Sequence, residues 1–198
     1  MSSVCGGTVR GAVSVSVLLL GLSSLAYPQR YKPDLRNRLA PYVTSPQRAV
    51  DKMLDMASLK PGETLYDLGC GDGRILITAA QKYHVKAVGI EISDRLAHTA
   101  EDNVKALGLE DRVKVVRGDF MKTDLSAADV VTLYLMTTAN ESLRPNLEKY
   151  LKKDARVVSY DYPIPGWKAV GEEETDPSRL GNRHTIYLYQ VPTSISKK

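Results

Sequence analysis

An α/β fold built on a doubly wound, mostly parallel sheet is predicted by three features of this sequence. Strand-like and helix-like segments alternate from Pro41 onward, the pattern of strands joined by crossover helices. The glycine loop Asp67-Leu68-Gly69-Cys70-Gly71-Asp72-Gly73 joins the first strand to the helix after it. Acidic residues, Asp67, Glu91 and Asp119, then stand at the ends of three successive strands. Open sheets bind ligands beyond the carboxyl ends of their strands, so these acids are candidates for one site.

The elements follow in order. Thr44-Ser45-Pro46 offers a hydroxyl cap with proline in the first turn, and Val50, Met53, Leu54 and Ala57 recur at helical spacing, which predicts a helix over 46–58. Lys60-Pro61-Gly62 ends it, and Thr64 to Leu68 is a short buried strand running into the glycine loop. A helix from Gly73 to Lys82, a strand from Lys86 to Ile90, a helix from Asp94 to Leu107 and a strand from Val113 to Arg117 come next.

Each glycine of the loop removes a side chain where a ligand or backbone must approach closely. Asp67 can accept from a ligand ammonium, and the free N–H groups at the following helix start suit a carboxylate, so an amino-acid moiety is held at both ends. The spacing Gly69-x-Gly71-x-Gly73 differs from the G-x-G-x-x-G that seats a dinucleotide pyrophosphate. Glu91, 20 residues beyond Gly71, can chelate two ribose hydroxyls. Asp119 can accept from an adenine amino group, with Phe120 or Ile92 against the ring. A glycine loop alone is also a structural turn, and each acid alone also a cap or a solvated turn; their joint occurrence after three strands favours a ligand.

Asp67 to Gly73, Glu91 and Gly118-Asp119-Phe120 resemble, in order and spacing, the three cofactor motifs of the seven-strand, class I methyltransferases, over about 41–191. Pro41-Tyr42-Val43-Thr44-Ser45-Pro46, Val131-Thr132-Leu133-Tyr134-Leu135 with Asn140, Leu143-Arg144-Pro145 and Arg156-Val157-Val158-Ser159 are similar to a narrower group. These are the small protein lysine methyltransferases that include the mitochondrial enzymes acting on the adenine nucleotide translocase and the ATP synthase c subunit, and an archaeal relative. Thr44 departs from a proline, Tyr160 from a histidine, and Pro165-Gly166-Trp167 from the usual tryptophan motif.

The resemblance implies a Rossmann-like seven-strand sheet, S-adenosylmethionine as cofactor and a protein lysine side chain as acceptor. The remaining strands are then Asp129 to Leu135, Arg156 to Asp161 and a terminal pair near Trp167 to Gly171 and Thr185 to Val191, closing with an antiparallel strand. It adds Tyr42, Thr44 and Leu135 to the cofactor set of Asp67, Gly69, Gly71, Gly73, Glu91, Ile92, Asp119 and Phe120. Tyr42, Asn140 and Tyr160 are the candidates for orienting the acceptor amine, with ordinary packing and capping as the alternative. Trp167 is either a lip at the acceptor side or a cover for the core. Two rivals stand beside lysine: an enzyme of the same fold acting on a small molecule or RNA, and an inactive module that binds S-adenosylmethionine.

The chain has 198 residues with 43% hydrophobic content, enough for one core. We divide it into a targeting or anchor segment with linker, 1–40, and a catalytic domain, 41–198. Net charge is +4, but no Lys/Arg block forms a basic arm, so no nucleic-acid partner is expected. Cys5 and Cys70 make no disulfide framework, which points to a reducing compartment. His84, His98 and His184 lack metal-ligand spacing, and no metal site is expected. A monomer is expected.

No acidic residue precedes Asp34, and 19 uncharged residues lie between Arg10 and Arg30. As a helix at about 1.5 Å per residue they nearly cross a hydrocarbon layer of about 30 Å. A cleaved signal peptide, with Val13 to Leu22 as its core and Ser24-Leu25-Ala26 as its cleavage site, and a mitochondrial presequence are the alternatives. Retention is favoured because the cofactor is made inside cells and because Arg30, Lys32, Arg36 and Arg38 outnumber Arg10, placing the domain on the inner side of a membrane, in bacterial cytoplasm or mitochondrial matrix.

Overall fold

A computed structural model describes residues 43–175 and 183–195. The leader and Tyr42 lie outside the described residues. The strands are β1 (Thr64–Leu68), β2 (Lys86–Glu91), β3 (Val113–Arg117), β4 (Val130–Leu133), β5 (Arg156–Tyr160), β6 (Gly171–Glu174) and β7 (Thr185–Gln190), and the helices α1 (Gln47–Met56), α2 (Arg74–Tyr83), α3 (Asp94–Ala106) and α4 (Thr137–Tyr150). They form one sheet in the order β3-β2-β1-β4-β5-β7-β6. The first five strands pair in parallel, and β7 pairs antiparallel with both β5 and β6.

The expected plan is present, including the antiparallel strand at the end of the chain, which lies one in from the sheet edge because β6 pairs outside it. Three details differ. β6 begins at Gly171, whereas Trp167 makes only an isolated bridge to Ile195. β4 ends at Leu133, where its pairing with Leu68 and Ser159 ends, so Leu135 lies in the turn that enters α4. No hydroxyl caps α1: Pro46 occupies the cap position, its carbonyl accepting from the N–H groups of Ala49 and Val50 at 2.9 and 3.1 Å.

The helix α4 escaped the sequence because Pro145 lies inside it. A proline there leaves the carbonyl of Glu141 without its helical donor, and Glu141 is exposed, so water can replace the bond. Helix and strand periods then combine into two apolar layers. One packs Ala49, Met53 and Leu54 of α1 and Leu76 and Ala79 of α2 on Leu65, Val158 and Tyr160. The other packs Ala139, Leu143 and Leu147 of α4 on Leu68, Val131, Leu133 and Val157. Each buried leucine contributes about 2 kcal/mol of transfer free energy. Successive residues alternate between these layers, as a sheet covered on both faces requires.

The glycine loop is shaped by backbone sterics. Gly69, Gly71 and Gly73 have φ of 85°, 57° and 81°, a region that side chains disfavour. Gly89 on β2 is needed for another reason: a Cβ there would lie 2.4 Å from Leu76 Cδ1 and 2.5 Å from Cys70 Sγ. Its missing side chain lets β2 pass beneath the loop. The Ile90 carbonyl then accepts from the N–H groups of Gly69 and Cys70 at 2.8 and 3.1 Å, fastening the loop to β2.

Candidate functional site

Asp67 is 4% exposed near the carboxyl end of β1. It stands opposite Thr132 on β4, whose hydroxyl donates to Asp67 Oδ1 at 2.8 Å. Burial pushes the carboxyl up to about 7; the Thr132 bond opposes this, and the carboxylates of Glu91 and Asp72 add to it. Among the described residues no Lys, Arg or His forms an ion pair with Asp67. A buried carboxyl without a cation fits a ligand that carries one. Asp72 differs, because Arg74 Nε donates to it at 2.9 Å and holds it below the usual carboxylate range.

Glu91, 6% exposed, ends β2. Its Oε2 accepts from Gly71 N–H at 2.9 Å and its Oε1 from Ser93 N–H at 2.8 Å. One side chain therefore ties the glycine loop to the turn after β2, and each oxygen keeps a second lone pair for a ligand hydroxyl. Asp119 likewise has a local task, since its Oδ1 accepts from Met121 N–H at 2.9 Å and caps the short 3-10 turn Phe120–Lys122. Ile92 and Phe120 are half-buried nearby in the chain, and Thr44 is exposed. Leu135 is buried, and its Cδ2 lies 3.6 Å from where a Cβ on Gly69 would stand.

The carboxyl ends of β4 and β5 differ in composition. Tyr160 is 2% exposed in the layer beneath α1 and α2, its ring centroid 4.7 Å from Tyr134 and 5.5 Å from His184. Burial, with the Tyr134 hydroxyl and the Asp161 carboxylate nearby, pushes it up to about 12. Asn140 is 0% exposed, and its Nδ2 donates to the carbonyls of Tyr162 at 3.0 Å and Pro163 at 3.3 Å and to Ser159 Oγ at 3.4 Å. Ser159 and Tyr160 are adjacent on β5 and so point to opposite faces. Asn140 and Tyr160 are thus kept apart by the sheet, and Asn140 holds the loop after β5.

Tyr134, Asp161 and Tyr162 lie in the segments Leu133 to Asn140 and Tyr160 to Trp167, which the sequence places around the methyl position without giving these residues a role. Tyr134 and Tyr162 stack with centroids 6.2 Å apart, and His184 Nδ1 lies 2.7 Å from Asp161 Oδ2. Thr132 had a visible signal, a lone polar side chain in the apolar strand Val130–Leu133. The pairing of Asp161 with His184 had none, the two being 23 residues apart. Trp167 covers the core: it is 8% exposed, its Nε1 donates to Glu148 at 3.0 Å, and its ring meets Tyr189 edge-on at 5.7 Å.

Comparison with known proteins decides the family. A model of the ANTKMT methyltransferase domain matches residues 67–171, from the Asp67 carboxyl to the start of β6. The chain belongs to this methyltransferase family. It is 43% identical over 152 residues to a protein-lysine N-methyltransferase of Saccharolobus islandicus, covering 76% of this chain and 93% of the relative. It is 34% identical to the adenine nucleotide translocase lysine N-methyltransferase of Mus musculus, covering 69% of this chain and 60% of the relative. The crystal structure of an RNA methyltransferase from Salinibacter ruber, in complex with S-adenosyl-L-homocysteine, superposes with a TM-score of 0.71 at 38% identity, over 79% of this chain and 98% of that one. As a methyltransferase of this family the chain carries Asp67, Glu91, Asp119 and the tyrosine-rich end within the matched region, whereas His184 lies beyond it.

Proposed function

We propose that this protein transfers a methyl group from S-adenosylmethionine to the ε-amine of a lysine in a protein. The observation that carries the donor half is Asp67, a buried carboxyl without a cation beside a left-handed glycine loop. In this reading Asp67 takes the ammonium of the methionine moiety, Glu91 the ribose hydroxyls and Asp119 the adenine amino group. Gly69, Gly71 and Gly73 let the backbone approach, Ile92 and Phe120 flank the adenine, Leu135 closes the side next to the loop, and Thr44 and Tyr42, the latter outside the described residues, complete the cofactor set. When bound, the cofactor supplies an electrophilic methyl group. The protein's part is to align a neutral amine with it and to exclude water.

Lysine as acceptor is supported by family membership and by the relatives named for lysine, one of which is matched over nearly its whole length. RNA is the second reading, raised by the similarity to the Salinibacter ruber RNA methyltransferase. Incubation with labelled S-adenosylmethionine and extracts rich in protein or RNA separates them. Label on lysine in mapped peptides is expected; label only on RNA, or only on small molecules, overturns the lysine reading.

The leader is proposed as a retained anchor that keeps a monomeric catalytic domain on the inner side of a membrane, supported by its uncharged stretch and the basic cluster after it. Fractionation is expected to find the chain in the membrane pellet and protected from external protease. A soluble product starting near Tyr27 overturns retention, and sizing of the detergent-solubilised chain tests the monomer.

A further inference from the structure

Neighbouring elements hold the residues after β5 in a fixed arrangement. Asp161 has φ 70°, a left-handed conformation that costs energy for a residue with a side chain and persists only where surroundings enforce it. Its N–H donates to the Thr185 carbonyl at 2.7 Å, and its Oδ2 meets His184 Nδ1 at 2.7 Å, both partners belonging to the β7 side. The Tyr162 carbonyl accepts from the Ser159 hydroxyl on β5 and from Asn140 Nδ2 on α4. The strained residue thereby sends the ring of Tyr162 back over Tyr134, at 28° between planes.

Tyr134 in turn abuts the edge of Tyr160, and the residue after it, Leu135, lies against the glycine loop. Both Tyr134 and Tyr162 are half-buried, and among the described residues neither hydroxyl has a hydrogen-bond partner. Two tyrosine rings and one carboxylate thus stand together at the ends of β4 and β5. Aromatic faces and a carboxylate attract an ammonium, and the same carboxylate repels a phosphate backbone.

We propose that Tyr134, Tyr162 and the Asp161 carboxylate form the subsite that receives the acceptor's ammonium group, with His184 as the residue that positions Asp161. The subsite selects a lysine side chain and its methylated forms, and it deepens the lysine reading above, on which it rests. His184 fixes the carboxylate's direction through Nδ1, so its effect passes through Asp161.

The test uses the full chain, labelled S-adenosylmethionine and the best substrate found among single-lysine peptides and folded lysine-bearing proteins. Calorimetry with S-adenosylhomocysteine reports the donor site separately. Tyr134→Leu and Tyr162→Leu are expected to raise KM for the lysine substrate about tenfold, and Tyr134→Phe and Tyr162→Phe to stay within about twofold, since the ring face is what binds. Asp161→Asn, nearly isosteric, is expected to raise KM with unchanged donor affinity. His184→Leu should do the same, and His184→Asn, which can still donate to Asp161, should restore most of it. If the wild type methylates lysine but the leucine and Asp161→Asn variants keep its KM and its mono-, di- and trimethyl product ratio, the subsite is overturned while the lysine reading stands. If the wild type methylates no lysine, both are overturned.

Discussion

The carboxyl ends of β1 and β2 and those of β4 and β5 are built by different means. At the β1 and β2 end most polar contacts stay within one turn or one strand–helix–strand unit: Glu91 accepts from Gly71 and from Ser93, and Asp119 from Met121 two residues on, while Thr132 on β4 reaches Asp67 from farther along the chain. At the β4, β5 and β7 end the groups come from distant parts of the chain, Tyr134 with Tyr160 and Tyr162, and Asp161 with His184. The first end is a motif repeated at successive strand ends. The second depends on which strands become neighbours, and so it can change without disturbing the first.

The sharpest way to break this comparison is at Glu91. Glu91→Ala leaves the buried N–H of Gly71 and the half-buried N–H of Ser93 without acceptors, which at about 1–3 kcal/mol for an orphaned buried group should cost about 3 kcal/mol of folding stability. Donor affinity should fall with it, and Tyr162→Leu should leave donor affinity unchanged. Denaturant melts and calorimetry on the two variants decide. A Glu91→Ala protein of normal stability would remove the claim that this carboxylate organises the loop.

A smaller effect concerns Asp67 and pH. Its carboxyl is raised to about 7 in the folded protein, so folding favours the protonated form. The ligand-free protein should therefore lose stability as pH rises from about 4 to about 7 and then level off. Affinity for S-adenosylhomocysteine should move oppositely, rising towards about pH 7 because the carboxylate is the form that meets an ammonium. Thermal melts with and without S-adenosylhomocysteine between about pH 5 and about pH 8 measure both trends. Affinity that is flat across the window, or unchanged in Asp67→Asn, would detach Asp67 from the ligand.

The smallest expected effect lies at Trp167. Trp167→Phe removes the hydrogen bond to Glu148 and keeps most of the ring packing against Tyr189, which should cost about 1 kcal/mol. Turnover should be near normal, because the indole covers the core. A large rise in KM with unchanged stability would instead place Trp167 at the acceptor side.

From β1 to β3 the strands matched their sequence ranges to within one residue, and the acids at their ends were legible, because strand, turn and acid lie within a few residues and repeat. Local periodicity and turn chemistry suffice there. β5 also ends within one residue of its sequence range. Where β4 stops was not legible, because a strand ends when its neighbours cease to pair, and Leu68 and Ser159 set that limit for Leu133. The same dependence separated Asn140 from Tyr160: both are ordinary candidates in the sequence, but alternation on β5 assigns Ser159 and Tyr160 to opposite faces, and Asn140 bonds the first.

The sequence by itself determined the α/β class, the glycine loop and the placing of Asp67, Glu91 and Asp119 at successive strand ends, since φ preference, burial period and charge at a strand end are properties of neighbouring residues. Only the tertiary structure decided that β7 inserts between β5 and β6, that His184 meets Asp161, and that Tyr134 and Tyr162 stack. Those contacts join segments whose proximity arises from strand order, which depends on how the whole sheet buries its two faces.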